Sequence, residues 1–235
     1  MKIPFREMIN QLLAAVLLSL PIAALALDVQ LDEKRPTLET IHEGHVVKIE
    51  REQNLNHTIS GFFARTAHKC PPHCAQPIAI APGVKTIGEV ELFDFLQNDV
   101  VTGSGVLIDA RLPEWNQKGT IPGSVNIPFT ILQASADDPQ LADTLHQLGV
   151  RKRGKIETST QLLEKIGLLS SDLKNDDWDF GQAKKLVLFC NGPWCGQSPR
   201  GIRALLKLGY PADRIHYYRG GMQMWQLYGL TTIVP

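Results

Sequence analysis

Residues 186–200 read LVLFCNGPWCGQSPR, an apolar run followed by a cysteine and a loop that contains glycine. Four consecutive apolar residues at 186–189 favour a strand that is buried on both faces, as in a parallel sheet. After the loop, Ser198 is typical of a helix N-cap and Pro199 of the first helical position, and Gly209 is predicted to end that helix. A strand, a loop and a helix in this order are the units of an α/β domain.

The chain on either side of this stretch continues the alternation of strands and helices. Thr86 and Glu89 form a capping box, which predicts that a helix begins there. Three further strands and a last helix are predicted at residues 106–109, 124–127, 214–218 and 222–227. The fold class is therefore predicted to be α/β, a three-layer domain with a central, mainly parallel sheet flanked by helices.

Length and composition are those of one globular domain with appendages. The chain has 235 residues, 43% of them hydrophobic, and a formal net charge of zero. A neutral chain gives no electrostatic reason to expect a nucleic acid as a partner. We expect an N-terminal extension at 27–85 and the main domain at 86–235. Within that domain, residues 131–182 are predicted to be a helical insertion, and its basic cluster at 151–155 a solvated turn.

The first 26 residues are predicted to be a signal peptide. Lys2 and Arg6 precede an apolar run that is shorter than the roughly 20 residues a helix needs to span a bilayer. Small residues at Ala24 and Ala26 suit cleavage after Ala26. The mature protein is therefore expected to be periplasmic or secreted, with no membrane span left after cleavage.

Cys190 is the candidate nucleophile, because the carboxyl end of a parallel strand is where ligands bind in open α/β sheets. The loop can turn several N–H groups inward, and the helix dipole adds partial positive charge. Both favour a thiolate, with a pKa below the value of about 8.5 for a free cysteine. The same N–H groups could hold the anionic end of a substrate. The predicted binding loop consists of Asn191, Gly192, Pro193, Trp194, Cys195, Gly196, Gln197 and Ser198, with Arg200 at its mouth.

Three motifs in the right order resemble those of the rhodanese family, and the resemblance covers about residues 86–235. The first is Asp109-Ala110-Arg111 followed by GTIPGSV at 119–125, similar to the D-x-R and G-H-I-P-G-A of the family. The second is Phe189-Cys190, which opens the loop. The third is GGMQMW at 220–225, similar to the G-G-x-x-x-W signature.

The resemblance implies a sulfurtransferase in which Cys190 carries sulfur as a persulfide. A thiosulfate-like or persulfide-like donor would load it, and a thiol or cyanide would accept the sulfur; no cofactor and no metal are expected. Asp109, Arg111 and Trp225 are then expected to be structural. The predicted N-cap at Ser198 gives a loop longer than that of simple members of the family, and hence a wider pocket.

Two departures from related families bear on the reaction. Thr120 stands where the rhodanese family has histidine, and we expect this to affect local packing. The related cysteine phosphatases use C-x5-R, which neither Cys190 nor Cys195 offers, since the spacing from Cys195 to Arg200 is C-x4-R. Phosphatase activity is therefore disfavoured.

The role of Cys195 stays open at this point. It could resolve a Cys190 persulfide with release of sulfide. It could form a disulfide with Cys190 outside the cytosol, which a periplasmic reductant would then have to open. It could also be a bystander. Two other functions follow from these alternatives: a thiol–disulfide redox protein that uses both cysteines, or a catalytically silent binding module that has kept the fold.

Cys70 and Cys74 form the second close pair, separated by Pro71-Pro72-His73. A disulfide that staples the extension is the simplest interpretation, because an exported chain with an even number of cysteines favours disulfides. The alternatives are a redox partner of the active site and a metal site. The spacing is not that of C-x2-C zinc modules, which disfavours metal.

Overall fold

The computed structural model describes residues 29–154, 158–166, 168 and 177–235. The predicted signal peptide and Lys155 of the basic cluster lie outside these residues. None of the helices in this part of the chain has the length and apolar character that crossing a bilayer requires.

Strands and helices alternate through most of the described chain. The strands are β1 (Leu38–His42), β2 (His45–Ile49), β3 (Lys85–Ile87), β4 (Gly105–Asp109), β5 (Ser124–Asn126), β6 (Arg151–Lys152), β7 (Trp178–Asp179), β8 (Lys185–Phe189) and β9 (Ile215–Tyr218). The helices are α1 (Glu89–Phe95), which continues as a π-helical segment (Leu96–Val100), α2 (Pro113–Asn116), α3 (Phe129–Leu132), α4 (Pro139–Gln147), α5 (Thr158–Lys165), α6 (Gln197–Lys207) and α7 (Gly221–Leu227).

The central sheet has five strands in the order β3-β9-β8-β4-β5. All four pairings between neighbouring strands are parallel. In the register of β4 and β8, Asp109 lies opposite Phe189, so Cys190 leaves the sheet beside Asp109, the first residue of the D-x-R motif. The predicted parallel sheet is confirmed, and β8 lies at its centre because its apolar residues need cover on both faces.

Two hydrophobic cores lie on opposite faces of this sheet. Leu186 and Leu188 of β8 belong to one core, whereas Val187 and Phe189 belong to the other. This is the two-residue alternation of a strand, and helices cover each face. The predicted three-layer arrangement is confirmed.

The N-terminal extension adds to one of these cores. The hairpin of β1 and β2 buries Leu38 and Ile49 in the same cluster as Trp225. The Glu52 N–H then donates to the carbonyl of Gly229 at 2.7 Å. Residues 29–52 therefore pack as part of the same body as the central sheet.

Two predicted helix starts are wrong. Thr86 lies in β3, where it pairs opposite Tyr217, and α1 begins after Gly88. The Gly88 N–H donates to Glu91 at 3.0 Å, so the capping carboxylate is Glu91, two residues after the predicted Glu89. The second helix, α6, has its N-cap at Gly196 and not at Ser198. Local patterns place helix ends only to within a residue or two.

The insertion at 131–182 contains the two predicted helices, seen as α4 and α5. Its basic cluster is only partly a turn. Arg151 and Lys152 form β6 and pair with β7, and both are exposed. Arg153 forms a half-buried ion pair with Glu164 at 2.8 Å.

Candidate active site

Cys190 follows the last residue of β8, and its side chain is only 2% exposed. The Ser198 hydroxyl donates to its Sγ at 3.0 Å. The Sγ also lies 3.3 Å from the carbonyl oxygen of Cys195. The Ser198 side chain, in the first turn of α6, therefore hydrogen-bonds to the Cys190 sulfur instead of capping the helix.

The pKa values of the two loop cysteines move in opposite directions. Burial of Cys190 works to raise the pKa of its thiol, but the Cys195 thiol, the Ser198 hydroxyl and the N–H groups of Ser198 and Gly192 donate hydrogen bonds to it. Together these donors lower the pKa of Cys190. The hydrogen bond to Cys190 raises the pKa of Cys195, and burial adds to this. Of the two thiols, Cys190 is therefore the one that ionises more readily.

The loop between strand and helix is shorter than predicted. Its helix has the N-cap at Gly196, two residues before Ser198, so the expected lengthening is wrong and the expectation of a wider pocket loses its basis. The Cys195 N–H donates to the Gly192 carbonyl at 2.9 Å, which closes the loop on itself. The turn leaves the N–H groups of Gly192 and Ser198 to point at the Cys190 sulfur.

The GGMQMW motif at 220–225 forms hydrogen bonds with the backbone of this loop. The N–H groups of Met222 and Gln223 donate to the carbonyls of Cys190 at 3.0 Å and Asn191 at 2.9 Å. Gly221 has φ +55°, and a Cβ there would clash with the Cys190 carbonyl and lie 2.8 Å from the Gly192 nitrogen. A glycine is therefore required at this position.

The first motif forms a buried polar network beside the loop. Arg111 Nε donates to Asp109 at 2.8 Å, and both side chains are almost completely buried. Thr120 donates to the same carboxylate at 2.8 Å, so this departure from the family pattern is accommodated by a hydrogen bond. Arg111 also reaches Asn191 at 3.5 Å. Trp225 is fully buried, with its Nε1 donating to a backbone carbonyl. These contacts agree with the expected structural roles.

A segment of the extension, residues 61–76, lies across the loop, and we call it the strap. His73 forms an isolated antiparallel bridge with Cys195. The Gln76 N–H donates to the Pro193 carbonyl at 2.8 Å, and the Gln76 carbonyl accepts from Arg219 at 2.9 Å. The strap is thus joined by backbone hydrogen bonds to the loop that carries Cys190.

Aromatic and imidazole rings form further contacts between the strap and the loop. His68 stacks on Trp194 with ring centroids 4.9 Å apart, and His73 meets the same indole edge-on at 4.9 Å. Phe62 contacts Trp115 at 4.7 Å and Trp194 at 5.6 Å. Trp194 is therefore the loop residue on which the strap rests.

The four cysteines form one disulfide and two free thiols. Cys70 and Cys74 are joined within the strap, whereas Cys190 and Cys195 are both free. The interpretation of the first pair as a staple agrees with this. Across the described ranges, no group of three or more His, Cys, Asp or Glu side chains is arranged to hold a metal ion.

Arg200 lies away from the thiol. It is exposed, and its guanidinium lies 5.7 Å from the ring of Phe129. With Arg203 and Lys207 it lines a cavity of about 530 Å³ that none of the loop residues 190–197 borders. A role for Arg200 in substrate binding stays a prediction.

The strap is the part of the site that sequence reasoning missed. Phe62 and His68 lie more than a hundred positions before Trp194, and no local pattern connects them. The spacing of Cys70 and Cys74 was the available signal, since a short disulfide loop marks a segment held in one shape. Nothing in that spacing shows what the segment covers.

Comparisons with known proteins agree with the fold. The Rhodanese-like domain family model matches residues 93–228. The chain is similar to a human single-domain sulfurtransferase, at 20% identity over 61% of this chain and 96% of that one, with a TM-score of 0.35. It is similar to a rhodanese-related protein from Thermoplasma volcanium, at 19% identity over 64% of this chain and 99% of that one, with a TM-score of 0.32.

A third similar structure is a thiosulfate sulfurtransferase from Pseudomonas aeruginosa, at 16% identity over 64% of this chain and 20% of that one, with a TM-score of 0.34. A search of curated proteins returned no match. The family model covers more than half of the chain, and the three motifs meet around Cys190. The chain therefore belongs to the rhodanese-like domain family.

Proposed function

We propose that the protein is a sulfurtransferase that carries sulfane sulfur as a persulfide on Cys190. The observation that carries the proposal is the set of donors around its Sγ, from the Ser198 hydroxyl at 3.0 Å, the Cys195 thiol and two backbone N–H groups. They stabilise a negative sulfur in a buried site. A nucleophilic cysteine needs such a lowered pKa, because the thiolate is the reactive form.

The donor is a small thiosulfate-like or persulfide-like anion. Cys190 attacks its outer sulfur and becomes a persulfide, and the rest of the donor leaves as an anion. The inward N–H groups of Gly192 and Ser198 suit the negative charge on the loaded sulfur. A thiol or cyanide then accepts the sulfur and frees Cys190.

Intact-mass analysis tests the loading step. One equivalent of thiosulfate is expected to release one equivalent of sulfite as its outer sulfur is transferred to Cys190, and Cys190→Ser removes this release. In Cys195→Ser, which lacks the second thiol, the added sulfur is expected to stay on the protein, and peptide mapping is expected to place it on Cys190. A sulfur found on Cys195, with Cys190 unmodified, contradicts the assignment.

A thiol–disulfide redox protein is the second candidate, because Cys190 and Cys195 are both free and buried in one loop, with the Cys190 Sγ 3.3 Å from the Cys195 carbonyl oxygen. That function needs a reversible bond between them that exchanges with dithiols in the absence of any sulfur donor. Equilibration of the protein with dithiol buffers of known potential, followed by trapping of free thiols, separates the two functions.

We further propose that the protein acts outside the cytosol, in the periplasm or after secretion, with cleavage after Ala26. The basic residues, apolar run and small residues of positions 1–26 support this. A periplasmic reductant is then the expected partner for its thiols. N-terminal sequencing of the protein from the periplasmic fraction of an expressing cell tests it; a start at Met1 contradicts cleavage.

A further inference from the structure

Cys195 is the second thiol of the loop, and the proposed transfer reaction gives it no task beyond donating a hydrogen bond. Its side chain is 5% exposed. Its N–H donates to Gly192, and its backbone pairs with His73 of the strap. Two separate segments thus hold Cys195 beside Cys190, with the Cys195 carbonyl oxygen 3.3 Å from the Cys190 sulfur and the Cys195 Sγ 3.8 Å from Gln197 Oε1.

We propose that Cys195 is the internal acceptor of the sulfur loaded on Cys190, so that the protein releases sulfide and forms a Cys190–Cys195 disulfide. The inference rests on the proposed function, since Cys190 must first carry a persulfide. It adds a product, sulfide, and a co-substrate, a dithiol reductant, which opens the disulfide again.

The step balances in atoms and electrons. A new bond joins Cys195 Sγ to Cys190 Sγ, and the bond between Cys190 Sγ and the outer sulfur breaks. The proton of Cys195 moves to the outer sulfur, which leaves with the bonding electron pair as HS⁻. The outer sulfur is thereby reduced to sulfide, and the two cysteine sulfurs are oxidised to a disulfide.

A dithiol closes the cycle by thiol–disulfide exchange, returning both cysteines as thiols and becoming a disulfide itself. With thiosulfate as the donor, the sum is one thiosulfate and one dithiol converted to sulfite, hydrogen sulfide anion, the oxidised dithiol and one proton. The protein itself is unchanged at the end of the cycle.

The hydrogen bond between the two cysteines sets the order of events. Contact with Cys190 is the largest cause of the raised pKa of Cys195. While Cys190 is a thiolate, Cys195 therefore keeps its proton and does not react. Once Cys190 carries the persulfide, the negative charge lies on the outer sulfur and no longer on Cys190 Sγ. The interaction that raised the pKa of Cys195 is then lost.

The covered loop favours an internal acceptor over a large external one. The strap lies across residues 193–195, and Cys190 is 2% exposed. A small donor anion needs only a slight opening of this cover, whereas a protein thiol would have to displace it. Cys195 needs neither, because it lies in the same buried loop, with its carbonyl oxygen 3.3 Å from the Cys190 sulfur.

A single-turnover experiment tests the proposal. The reduced protein is freed of reductant and mixed with one equivalent of thiosulfate without any other thiol. We expect sulfite, about one equivalent of sulfide, and a protein that is lighter by two hydrogen atoms, with Cys190 and Cys195 cross-linked in the peptide map. In Cys195→Ser the sulfur stays on Cys190, and sulfide release slows by at least about 100-fold because the positioned thiol is gone.

Controls separate the possible failures. The background Cys70→Ser with Cys74→Ser removes the other cysteine pair, and Cys195→Ala repeats the test without a hydroxyl. A persulfide that persists on Cys190 of the protein with Cys195 intact, with no sulfide and no cross-link, overturns the internal acceptor alone. Absence of sulfite release from the parent protein, with no sulfur bound to Cys190, overturns the proposed sulfurtransferase function as well.

Discussion

The strap and the active-site loop each hold two cysteines, at nearly equal spacing, in opposite chemical states. Cys70 and Cys74 lie near the surface and are joined, whereas Cys190 and Cys195 are buried and free. In the loop pair, hydrogen-bond donors lower the pKa of Cys190, whereas the interaction with Cys190 and burial raise the pKa of Cys195. Surroundings, and not spacing, decide which pair is a staple and which is a reactive site.

The two regions also depend on each other. His73, from within the disulfide loop of the strap, pairs with Cys195 in the active-site loop. The Cys70–Cys74 disulfide restricts the conformations of the strap, the segment that covers the two thiols. The comparison therefore predicts a large effect on chemistry from changes in the loop, and a small effect on access from changes in the staple.

The largest expected difference is between Cys190→Ser and Cys74→Ser. Cys190→Ser removes the nucleophile, so thiosulfate-dependent turnover should fall by more than about a thousandfold. Cys74→Ser removes only the staple, so turnover should stay within a few-fold of the parent protein. Sulfite release measures both. Equal losses in the two variants would show that the strap disulfide takes part in the chemistry.

Ser198→Ala tests the hydrogen-bond donors of the active-site loop, because it removes one hydrogen bond to the Cys190 sulfur. A hydrogen bond to a charged group stabilises that charge by about 1.5–3 kcal/mol, so the pKa of Cys190 should rise when this donor is lost. The rate of Cys190 alkylation by iodoacetamide follows the thiolate, so its inflection should move to higher pH. The exposed Ser135→Ala is the matched control. An unchanged inflection in Ser198→Ala would contradict the role of this hydroxyl.

Gly221→Ala tests how far the loop depends on the motif beneath it. The backbone at φ +55° and the approach to Cys190 leave no room for a Cβ. The free energy of unfolding should fall by about 1–3 kcal/mol, measured by urea denaturation. Gly154→Ala is the control, since a Cβ there meets nothing within 4 Å. Equal stability of the two variants would argue against this packing.

The smallest effect is expected from the staple itself. Cys70→Ser with Cys74→Ser frees the strap to open more often, so alkylation of Cys190 should speed up by roughly threefold to tenfold. Peptide-resolved mass spectrometry follows the label. Leu55→Ser, at an exposed position of the extension outside the strap, should leave the rate unchanged. No acceleration in the double variant would mean that the strap does not limit access.

Much of the fold could be predicted from local patterns. The apolar run at 186–189 predicted a central strand, because a strand buried on both faces must be apolar at every position. The glycine pair at 220–221 and the Asp109–Arg111 pair were recognised from short motifs whose residues lie close in the chain. Helix starts were less well predicted, since Thr86 joined a strand pairing instead of capping a helix.

The sequence by itself determined which thiol stands at the end of the central strand, because burial period and turn residues are local properties. Only the tertiary structure decided what surrounds it. The strap reaches Trp194 from more than a hundred positions away, and Ser198 turns to Cys190 because the helix begins two residues earlier than predicted. Such contacts depend on how distant segments pack together, and no periodicity along the chain encodes that.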